Sequence, residues 1–424
     1  MRSSSGFIIA APSSGSGKTT ITLGLLRALT RNGVPVRGAK SGPDYIDPRF
    51  HEAASGLPCF NLDAWAMQPE RISTLAAGDT PLIVEGAMGL FDGAPPEGRG
   101  SVADLARLLK LPVILVVDAA RMAQSIAPLV VGFARHDPDV HVAGVILNKV
   151  GSDRHERILS LALEPLGITV LGAIPRSAGI ETPSRHLGLV QAQERDDLDS
   201  FIERAADLVA QCIDLNALSR IAAPLLDADF SRKIAPPAQR IAIAQDRAFA
   251  FAYPHILKDW RDQGAEILPF SPLADDPLPK NDFVFLPGGY PELYAGQIAN
   301  ASTFLSTLRL HSKSKPIYGE CGGYMILGDG LTDANGTRHA MAGLLHLETS
   351  FAHRKLHLGY RSLSATSGPF RGHWKAHEFH YASTISAQGI PLFQACDAED
   401  TALPDMGLTQ GNVSGSFAHI IDHA

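Results

Sequence analysis

Two short stretches of the sequence contain residue types whose spacing suits chemistry. APSSGSGKTT, residues 11–20, places Lys18 and Thr19 behind a run of small residues, and KPIYGECGGYM, residues 315–325, places Cys321 between glycines. Small residues let successive backbone N–H groups face a phosphate, while the lysine and hydroxyl serve phosphate and magnesium. A cysteine on a tight strand-to-helix turn is placed as a nucleophile. We therefore predict a phosphate site early in the chain and a thiol site late in it.

The first stretch differs from the usual phosphate-binding loop at one position, since Pro12 occupies the place of the first glycine. The rest, GSGKTT, lies between a strand pattern and a helix pattern, which is the context that a phosphate-binding loop requires. The alternative is a glycine loop with only a structural role. The residues predicted to bind the nucleotide here are Gly15, Ser16, Gly17, Lys18, Thr19 and Thr20.

Carboxylates that magnesium and phosphoryl transfer require follow predicted strands nearby. LIVEGAMGLFDG contains Glu85 and Asp92, and KSGPDYIDPRFH contains Asp44 and Asp47 around a tight turn. Each of the four could instead cap a helix or lie in a solvated turn. Asn148 ends the strand pattern VAGVILNKV, where its amide could bind an adenine edge or simply form a turn.

The pattern G-x-C-x-G around Cys321 predicts a strained turn whose helix N-terminus favours a thiolate. A buried structural cysteine is the alternative. The loop LPGGYPE, residues 286–292, offers adjacent glycine N–H groups for an oxyanion, and His419 in GSFAHI is the candidate base. His377 and His380, in KAHEFHYA, compete for that role or could form a metal pair, although a structural or substrate-contact role is favoured.

The elements that must position these residues are of α/β type. In the first half, apolar strand patterns alternate with helix patterns, which predicts a parallel sheet covered on both faces. Residues 215–239 lack a clear period and end in two prolines, so we predict a linker there, between an ATP-binding domain at 1–214 and a second α/β domain at 240–424. The glycine turns of both domains fall at strand ends, where open α/β sheets bind ligands.

Composition and charge narrow the class of protein. A formal net charge of −7 over 424 residues gives no support for nucleic-acid binding. The cysteines, scattered without CxxC spacing, indicate neither zinc nor disulfides, so a reducing cytoplasm is expected. No apolar run approaches the length of a membrane span, and we expect no membrane association.

Together, the motifs resemble those of the cobyrinic acid a,c-diamide synthase family. The resemblance covers nearly the whole chain, because APSSGSGKTT, KSGPDYIDPRFH, VEGAMGLFDG, SRHLGLV, PGGYPE, GECGGY, HEFHY and SFAHI occur in the order of that family. It implies a P-loop domain similar to dethiobiotin synthetase, joined to a flavodoxin-like class I glutamine amidotransferase domain. It also implies ATP and Mg²⁺ as cofactors, and we expect a homodimer.

In the amidotransferase domain, the resemblance implies that Cys321 attacks glutamine and His419 shuttles protons. Backbone N–H groups near Gly289 and Gly322 would hold the oxyanion. Class I enzymes carry a glutamate two residues after the histidine, but this chain has Ile421 there. A catalytic dyad is therefore implied, with the third role unassigned.

In the ATP domain, the resemblance implies that a carboxylate is activated as an acyl phosphate and then attacked by ammonia. The substrate would be a corrinoid polycarboxylate, cobyrinate or cobalt-free hydrogenobyrinate. The alternatives are a related tetrapyrrole amidase, either one that acts on nickel sirohydrochlorin or a cobyric acid synthase, and a non-enzymatic regulatory P-loop ATPase. The implied roles are Lys18 as phosphate clamp, Thr19 and Glu85 as magnesium ligands, Asp44 and Asp92 in phosphoryl transfer, and Tyr45, Arg185 and His186 at the substrate, with Arg49 and Arg176 as further loop cations or mere surface residues.

Overall fold

A computed structural model describes residues 4–176, 184–185, 188–189, 191–195, 197–226, 228 and 231–424. The chain divides into two compact units, Met1–Arg232 and Lys233–Ala424, each described below by itself. The two α/β domains predicted from the sequence are confirmed. Among the described residues, no helix has both the length and the apolar character needed to cross a membrane.

The first unit alternates strands and helices through most of its length. Its strands are β1 Ser5–Ala10, β2 Arg37–Ser41, β3 Phe60–Leu62, β4 Leu82–Glu85, β5 Val113–Asp118, β6 Val142–Val150, β7 Val170–Pro175, β8 Ser184–Arg185, β9 Gly188–Leu189 and β10 Ala223–Pro224. Its helices are α1 Lys18–Arg31, α2 Asp47–Ser55, α3 Pro69–Ala76, α4 Val102–Leu109, α5 Ile126–His136, α6 Asp153–Leu163, α7 Leu198–Cys212 and α8 Leu215–Ile221. Short 3₁₀ turns cover Glu164–Leu166 and Ala192–Glu194.

The sheet of this unit has the order β3-β2-β4-β1-β5-β6-β7, and these strands pair in parallel. The central strands are almost fully buried, as expected for a sheet covered on both faces. Strand β1 lies between β4 and β5, so the loop after β1 opens between the loops that follow those two strands. This is the place in an open α/β sheet where ligands bind.

The segment predicted as a linker, residues 215–239, has structure of its own. Helix α8 begins at an Asp214 side chain that accepts a hydrogen bond from the Ala217 N–H, and β10 pairs antiparallel with β1. The division between the compact units falls between Arg232 and Lys233, inside the same segment. Its first part therefore extends the first unit.

The second unit contains a parallel sheet and two further sheets. Its strands are β11 Arg240–Ala244, β12 Glu266–Phe270, β13 Phe283–Leu286, β14 Ile317–Glu320, β15 Gly330–Thr332, β16 Arg338–Ala340, β17 His346–Ser350, β18 His357–Ala365, β19 Gly372–His380, β20 Ser383–Gln388, β21 Phe393–Cys396, β22 Ala402–Met406, β23 Leu408–Gln410, β24 Val413–Ser416 and β25 Ala418–His423. Its helices are α9 Pro254–Asp262, α10 Ala295–Asn300, α11 Ser302–Ser312 and α12 Gly322–Leu327, with 3₁₀ turns at Pro272–Ala274 and Pro291–Leu293.

The main sheet of the second unit has the order β12-β11-β13-β14-β24-β23, in which only the edge strand β23 pairs antiparallel. The other sheets have the orders β16-β15-β17-β20 and β22-β21-β18-β19-β25 and pair mostly antiparallel. The main sheet matches the predicted α/β pattern. The other two were not predicted, and the five-stranded one matters because its strands β19 and β25 contain the candidate histidines.

Candidate active site

In the first unit, the loop after β1 is held from below by its own residues and by β6. The Ser16 hydroxyl donates to the Ser13 carbonyl at 3.0 Å, and the Asn148 side-chain amide donates to the Ser16 carbonyl at 2.8 Å. The Lys18 ammonium donates to the carbonyls of Ser13 and Met88. Lys18 is thus held by backbone oxygens at the mouth of the loop, at the start of α1.

Glu85, the last residue of β4, is the centre of a buried polar network. Its Oε1 accepts hydrogen bonds from the Thr19 hydroxyl at 2.6 Å and from the Lys40 ammonium at 2.8 Å. Its Oε2 lies 2.6 Å from Nε2 of His51, and Lys40 also pairs with Asp47. The register Ile9↔Glu85 between β1 and β4 brings this carboxylate to the level of the phosphate-binding loop.

The network keeps opposite charges together in a buried place. Burial acts to raise the pKa of Glu85, but the charge of Lys40 and the hydrogen bond from His51 outweigh it, so its pKa falls well below the usual range. Burial likewise acts to lower the pKa of Lys40, yet the charges of Asp47 and Glu85 raise it. Burial and the neighbouring Asp44 raise the pKa of Asp47 to about 7. The Glu85 carboxylate is therefore ionised at neutral pH.

The other predicted acidic residues hold turns that border the same region. Asp44 Oδ1 accepts the N–H groups of Ile46 and Asp47 at 2.7 and 3.1 Å, and Asp92 Oδ2 accepts the N–H of Gly89 at 2.8 Å. Both carboxylates thus accept backbone N–H groups within their own turns, which is the structural role considered above as an alternative. An ionised carboxylate has further acceptor positions, so this does not remove the role in phosphoryl transfer, which stays a prediction.

A cleft of about 1260 Å³ opens above these groups in the first unit. It gathers loop residues, the acidic network and the end of β6 around one space. The residues that line it include Gly15, Gly17, Lys18, Thr19, Thr20, Lys40, Asp44, Asp47, Glu85, Met88, Asp118, Arg121, Asn148, Lys149 and Arg176. A cleft of this size, lined by hydrogen-bonding groups and cationic side chains, suits the binding of a nucleoside triphosphate.

The donor set also fits Mg²⁺, which prefers oxygen ligands. The Thr19 hydroxyl and the Glu85 carboxylate are in direct contact and face the cleft, with Asp47 beside them. Lys40 now holds the Glu85 oxygen that Thr19 also contacts, so a bound cation would share that oxygen with it. Thr19 and Glu85 as metal ligands remain a prediction.

The remaining predicted residues of the first unit are placed as follows. One side-chain N–H of Asn148 donates to the Ser16 carbonyl, and its side-chain oxygen accepts the Lys149 N–H. A second N–H and a second lone pair of the amide are left for the edge of a base. Tyr45 is buried, and Arg49 pairs with Glu52 on α2. The backbone of Arg185 belongs to β8, its side chain is not among those described, and His186 lies outside the described residues.

In the second unit, Cys321 occupies a strained turn between β14 and α12. Its backbone has φ 46° and ψ −103°, an unusual conformation for a side chain with a Cβ. The Cys321 N–H donates to the Ser416 carbonyl at 2.8 Å, which ties the turn to β24. The predicted nucleophile turn is therefore present in the backbone geometry.

Gly288, in the loop after β13, makes room for both catalytic candidates. A Cβ built on Gly288 would lie 2.3 Å from Cε1 and 2.9 Å from Nε2 of His419, and 3.2 Å from the Cβ of Cys321. These contacts are too short for a real side chain, so only glycine fits here. The same distances place the Nε2 edge of the His419 ring and the Cβ of Cys321 beside the Gly288 Cα, so both border one small space.

The predicted oxyanion groups also lie together. A Cβ built on Gly322 would lie 3.1 Å from the Gly289 nitrogen, so the two glycine backbones are neighbours beside Cys321. In a tetrahedral intermediate, N–H groups placed in this way stabilise the negative oxygen. The assignment of Gly289 and Gly322 to that role stays a prediction.

The resting state of Cys321 differs from the sequence expectation of a thiolate. Burial raises its pKa, and the charge of Glu292 adds to this, while a hydrogen bond from the Gly322 N–H only partly offsets them. The thiol points to the Phe379 carbonyl at 3.9 Å. Helix α12 has only six residues, and its N-terminal field does not outweigh desolvation. A base must therefore remove the proton.

His380 on β19 lies near Glu378 and near His357 of the neighbouring strand β18, but this cluster does not fit a metal ion. His357 and His380 stack with ring centres 4.6 Å apart and planes 8° apart, so their in-plane lone pairs cannot converge on one ion. Glu378, whose Oε1 lies 3.0 Å from Nε2 of His380, is also paired with Arg361 at 2.7 Å. His377 lies opposite His419, and burial and the charge of His419 lower its pKa to about 3, so it is neutral.

Sequence reasoning missed several residues that the structure brings into these sites, among them His51, which contacts Glu85, and three others. Lys40 in the first unit, and Glu320 and Gly288 in the second, are all placed within a strand end or its loop. A signal existed for two of them, because an ionisable residue within a strand pattern, such as Lys40 in RGAKS and Glu320 in IYGE, is costly to bury without a partner. Gly288 gave no such signal, since its role depends on what packs against it.

Comparisons with known proteins identify both units. The CobQ/CobB/MinD/ParA nucleotide binding domain matches residues 7–190. The CobB/CobQ-like glutamine amidotransferase domain matches residues 240–424. The first match contains the phosphate-binding loop and Glu85, and the second contains Cys321 and His419.

Relatives that match over nearly their full length carry one name, hydrogenobyrinate a,c-diamide synthase. The protein of Brucella anthropi is 55% identical, with 98% of each chain covered. That of Rhizobium meliloti is 53% identical, with 98% of this chain and 99% of the relative covered. That of Sinorhizobium sp. is 54% identical, with 99% of each covered. The chain therefore belongs to the family of cobyrinic acid and hydrogenobyrinic acid a,c-diamide synthases.

Proposed function

We propose that this protein converts the a and c acetate carboxylates of hydrogenobyrinate into amides, using ATP and the side-chain nitrogen of glutamine. The observation that carries the choice of substrate is the similarity, 55% over 98% of both chains, to relatives named for that reaction. The cobalt-free substrate is chosen over cobyrinate because it is the one in the relatives' name. The two sites described above supply groups for the two halves of the chemistry.

The second unit releases ammonia from glutamine. The Cys321 sulfur attacks the side-chain amide carbon as His419 takes the thiol proton at Nε2, and N–H groups near Gly289 and Gly322 hold the oxyanion. The C–N bond then breaks, and the proton on Nε2 passes to the leaving nitrogen, which departs as ammonia. Water hydrolyses the remaining thioester to glutamate, which frees Cys321.

The first unit joins that nitrogen to the corrinoid. A substrate carboxylate oxygen attacks the γ-phosphorus of ATP, so that ADP leaves and an acyl phosphate forms. Ammonia attacks the acyl carbon and phosphate leaves, which completes the amide. Lys18 orients the phosphates and offsets their charge, and Asp44 and Asp92 support the transfer. Mg²⁺, held by Thr19 and Glu85 when bound, would neutralise further phosphate charge.

Substrate contacts belong to this proposal as well. We assign Tyr45, Arg185 and His186 to the corrinoid, and Asn148 to the adenine ring. Arg176 lines the cleft and adds a cation that suits a polycarboxylate. We also propose that the enzyme works in the cytoplasm, since all four cysteines are free, and that it is a homodimer, which light scattering of the purified protein tests.

Incubation with ATP, magnesium and glutamine tests the function directly. Hydrogenobyrinate, cobyrinate and nickel sirohydrochlorin are supplied in separate reactions. The products are then separated, and their molecular masses are measured by mass spectrometry. We expect the mass change of two carboxyl-to-amide conversions with hydrogenobyrinate, and ADP formed in step with it. Conversion of nickel sirohydrochlorin alone, or ATP hydrolysis without any amide, would contradict the proposal.

A further inference from the structure

We propose that Glu320 is the positioning residue that completes the Cys321–His419 pair, in place of the glutamate that Ile421 replaces. This inference rests on the proposed glutaminase role of the second unit. Glu320 lies on β14, the strand that precedes the nucleophile, whereas Ile421 lies on β25, the strand that contains the histidine.

The first observation is where the Glu320 carboxylate points. Glu320 is the last residue of β14 and only 3% exposed. Its Oε1 accepts the Ile420 N–H at 3.1 Å, and its Oε2 lies 3.6 Å from Nδ1 of His419. One oxygen is thus anchored to the backbone beside the histidine, while the other faces the ring.

The second observation is the orientation of the His419 ring. Its Nδ1 edge faces Glu320, whereas its Cε1 and Nε2 atoms surround the point where a Gly288 Cβ would lie, next to the Cβ of Cys321. A base that takes a proton at Nε2 needs its Nδ1–H held by an acceptor, which fixes the tautomer and stabilises the imidazolium that forms. The ring lies between an acceptor and a nucleophile in the order that this chemistry requires.

The third observation concerns the other titratable groups near His419. His377, across from it on β19, is neutral because burial lowers its pKa to about 3, so it cannot balance a positive imidazolium. Glu378 is occupied by Arg361 and His380. The Glu320 carboxylate lies within ion-pair distance of the ring, with Oε2 3.6 Å from Nδ1.

The proposed role involves no proton on Glu320 itself. The thiol proton moves from Cys321 to Nε2 of His419 and later to the departing nitrogen, while Glu320 stays ionised and holds Nδ1–H. At 3.6 Å the Oε2–Nδ1 contact is longer than a hydrogen bond. Catalytic hydrogen bonds are often long before substrate binds and shorten in the complex.

The test replaces Glu320 with glutamine in the full-length protein. Glu320→Gln keeps the shape and an acceptor for the Ile420 N–H but removes the charge. The control is Glu348→Gln, which removes a carboxylate that pairs with Arg338 on another sheet. For each protein, kcat and KM for glutamine are measured together with synthesis from free ammonium, and thermal unfolding reports folding.

We expect Glu320→Gln to lower kcat with glutamine by roughly 10²-fold or more, as loss of general acid–base function does. KM for glutamine and ammonium-dependent synthesis should not change, and Glu348→Gln should match the wild type. Glu320→Asp, which keeps the charge, should retain more kcat than Glu320→Gln. Wild-type kcat in Glu320→Gln, or equal losses in the Asp and Gln variants with a raised KM, would overturn the proposal.

If Glu320→Gln does not fold, Glu320→Asp is compared in the wild-type and His419→Ala backgrounds. A residue that acts through His419 has no further effect once the imidazole is gone, so an equal loss in both backgrounds would overturn the role. Cys321→Ala separates this inference from the function beneath it. If Cys321→Ala abolishes glutamine use and Glu320→Gln does not lower it, the inference alone fails.

Discussion

At the scale of single residues, the first unit depends on a buried cation that the sequence motifs did not reveal. Lys40 is 5% exposed at its side chain and neutralises Glu85 and Asp47, whose side chains are 1% and 4% exposed. Without this cation, Asp47 would lose its ion pair, and Glu85 would keep its contact with His51. The lysine thus makes it possible to keep an ionised Glu85 next to Thr19.

We expect Lys40→Met to destabilise the protein by about 3–5 kcal/mol, because it leaves buried carboxylates without their partner. Lys149→Met is the matched control, since Lys149 pairs with Asp118 at a partly exposed site and should cost no more than about 1 kcal/mol. Urea unfolding followed by circular dichroism measures both. Equal effects of the two substitutions would show that the Lys40 network does not carry this energy.

The raised pKa of Cys321 gives a second prediction at this scale. In the resting enzyme the thiol is protonated at neutral pH, so the reactive thiolate fraction grows with pH throughout the range below its pKa. Alkylation of Cys321 by iodoacetamide should therefore keep accelerating above pH 9. Mass spectrometry of the peptide with residues 315–325 measures this rate. A plateau reached below pH 7 would mean that a thiolate is already formed at rest.

At the scale of elements, helix α1 must hold Lys18 and Thr19 against the cleft while it packs on α7. Gly24 permits that packing, because a Cβ there would lie 2.6 Å from both the Ala205 carbonyl oxygen and a Val209 methyl. The close approach of these helices fixes the axis of α1. The phosphate-binding residues at its first turn take their position from it.

Gly24→Ala and Gly132→Ala form a matched pair that tests this packing. Both glycines lie inside helices, but a Cβ on Gly132 in α5 would meet nothing within 4 Å. We expect Gly24→Ala to cost about 1–3 kcal/mol through overpacking. Gly132→Ala should instead stabilise by roughly 0.5–1 kcal/mol through helix propensity. Thermal unfolding decides, and stabilisation by Gly24→Ala would refute the close contact.

Elements were largely predictable from sequence, and their partners were less so. Apolar strand patterns predicted the parallel sheets, and GSGKTT and GECGGY predicted the turns at the ends of β1 and β14. The antiparallel sheet that contains His377 and His419 was missed, because GHWKAHEFH and AHIIDH mix histidines and charged residues with apolar ones, so neither has the apolar run or clean alternation that marks a strand. Glu320 was in view beside Cys321, but only the pairing of β14, β24 and β25 with their neighbours reveals which group it faces.

At the scale of the whole molecule, the chain combines two chemistries that can be disabled separately. The first unit contains the nucleotide-binding groups, and the second contains the thiol, so each nitrogen source makes a different demand on the protein. We expect free ammonium to require only the first unit's chemistry, and glutamine to require that of both units. We therefore expect a substitution in the first unit to stop synthesis from both nitrogen sources, and a substitution at the thiol to stop synthesis from glutamine alone.

Lys18→Ala should stop amide synthesis from glutamine and from ammonium alike. The ammonium group of Lys18 lies at the mouth of the phosphate-binding loop, and without it the phosphates lose their main side-chain cation. ADP formation and amide formation are measured together with each nitrogen source. Normal synthesis from ammonium in this variant would place the phosphoryl transfer elsewhere in the protein.

The most direct test follows the nitrogen atom itself. Wild-type protein and Cys321→Ala are incubated with hydrogenobyrinate, ATP, magnesium and glutamine labelled with ¹⁵N at its side-chain amide, or with labelled ammonium, and the diamide is analysed by mass spectrometry. The wild type should place ¹⁵N from glutamine in both new amides, while Cys321→Ala should incorporate it only from ammonium. Label from glutamine in the Cys321→Ala product, or no product from ammonium in the folded variant, would contradict the account.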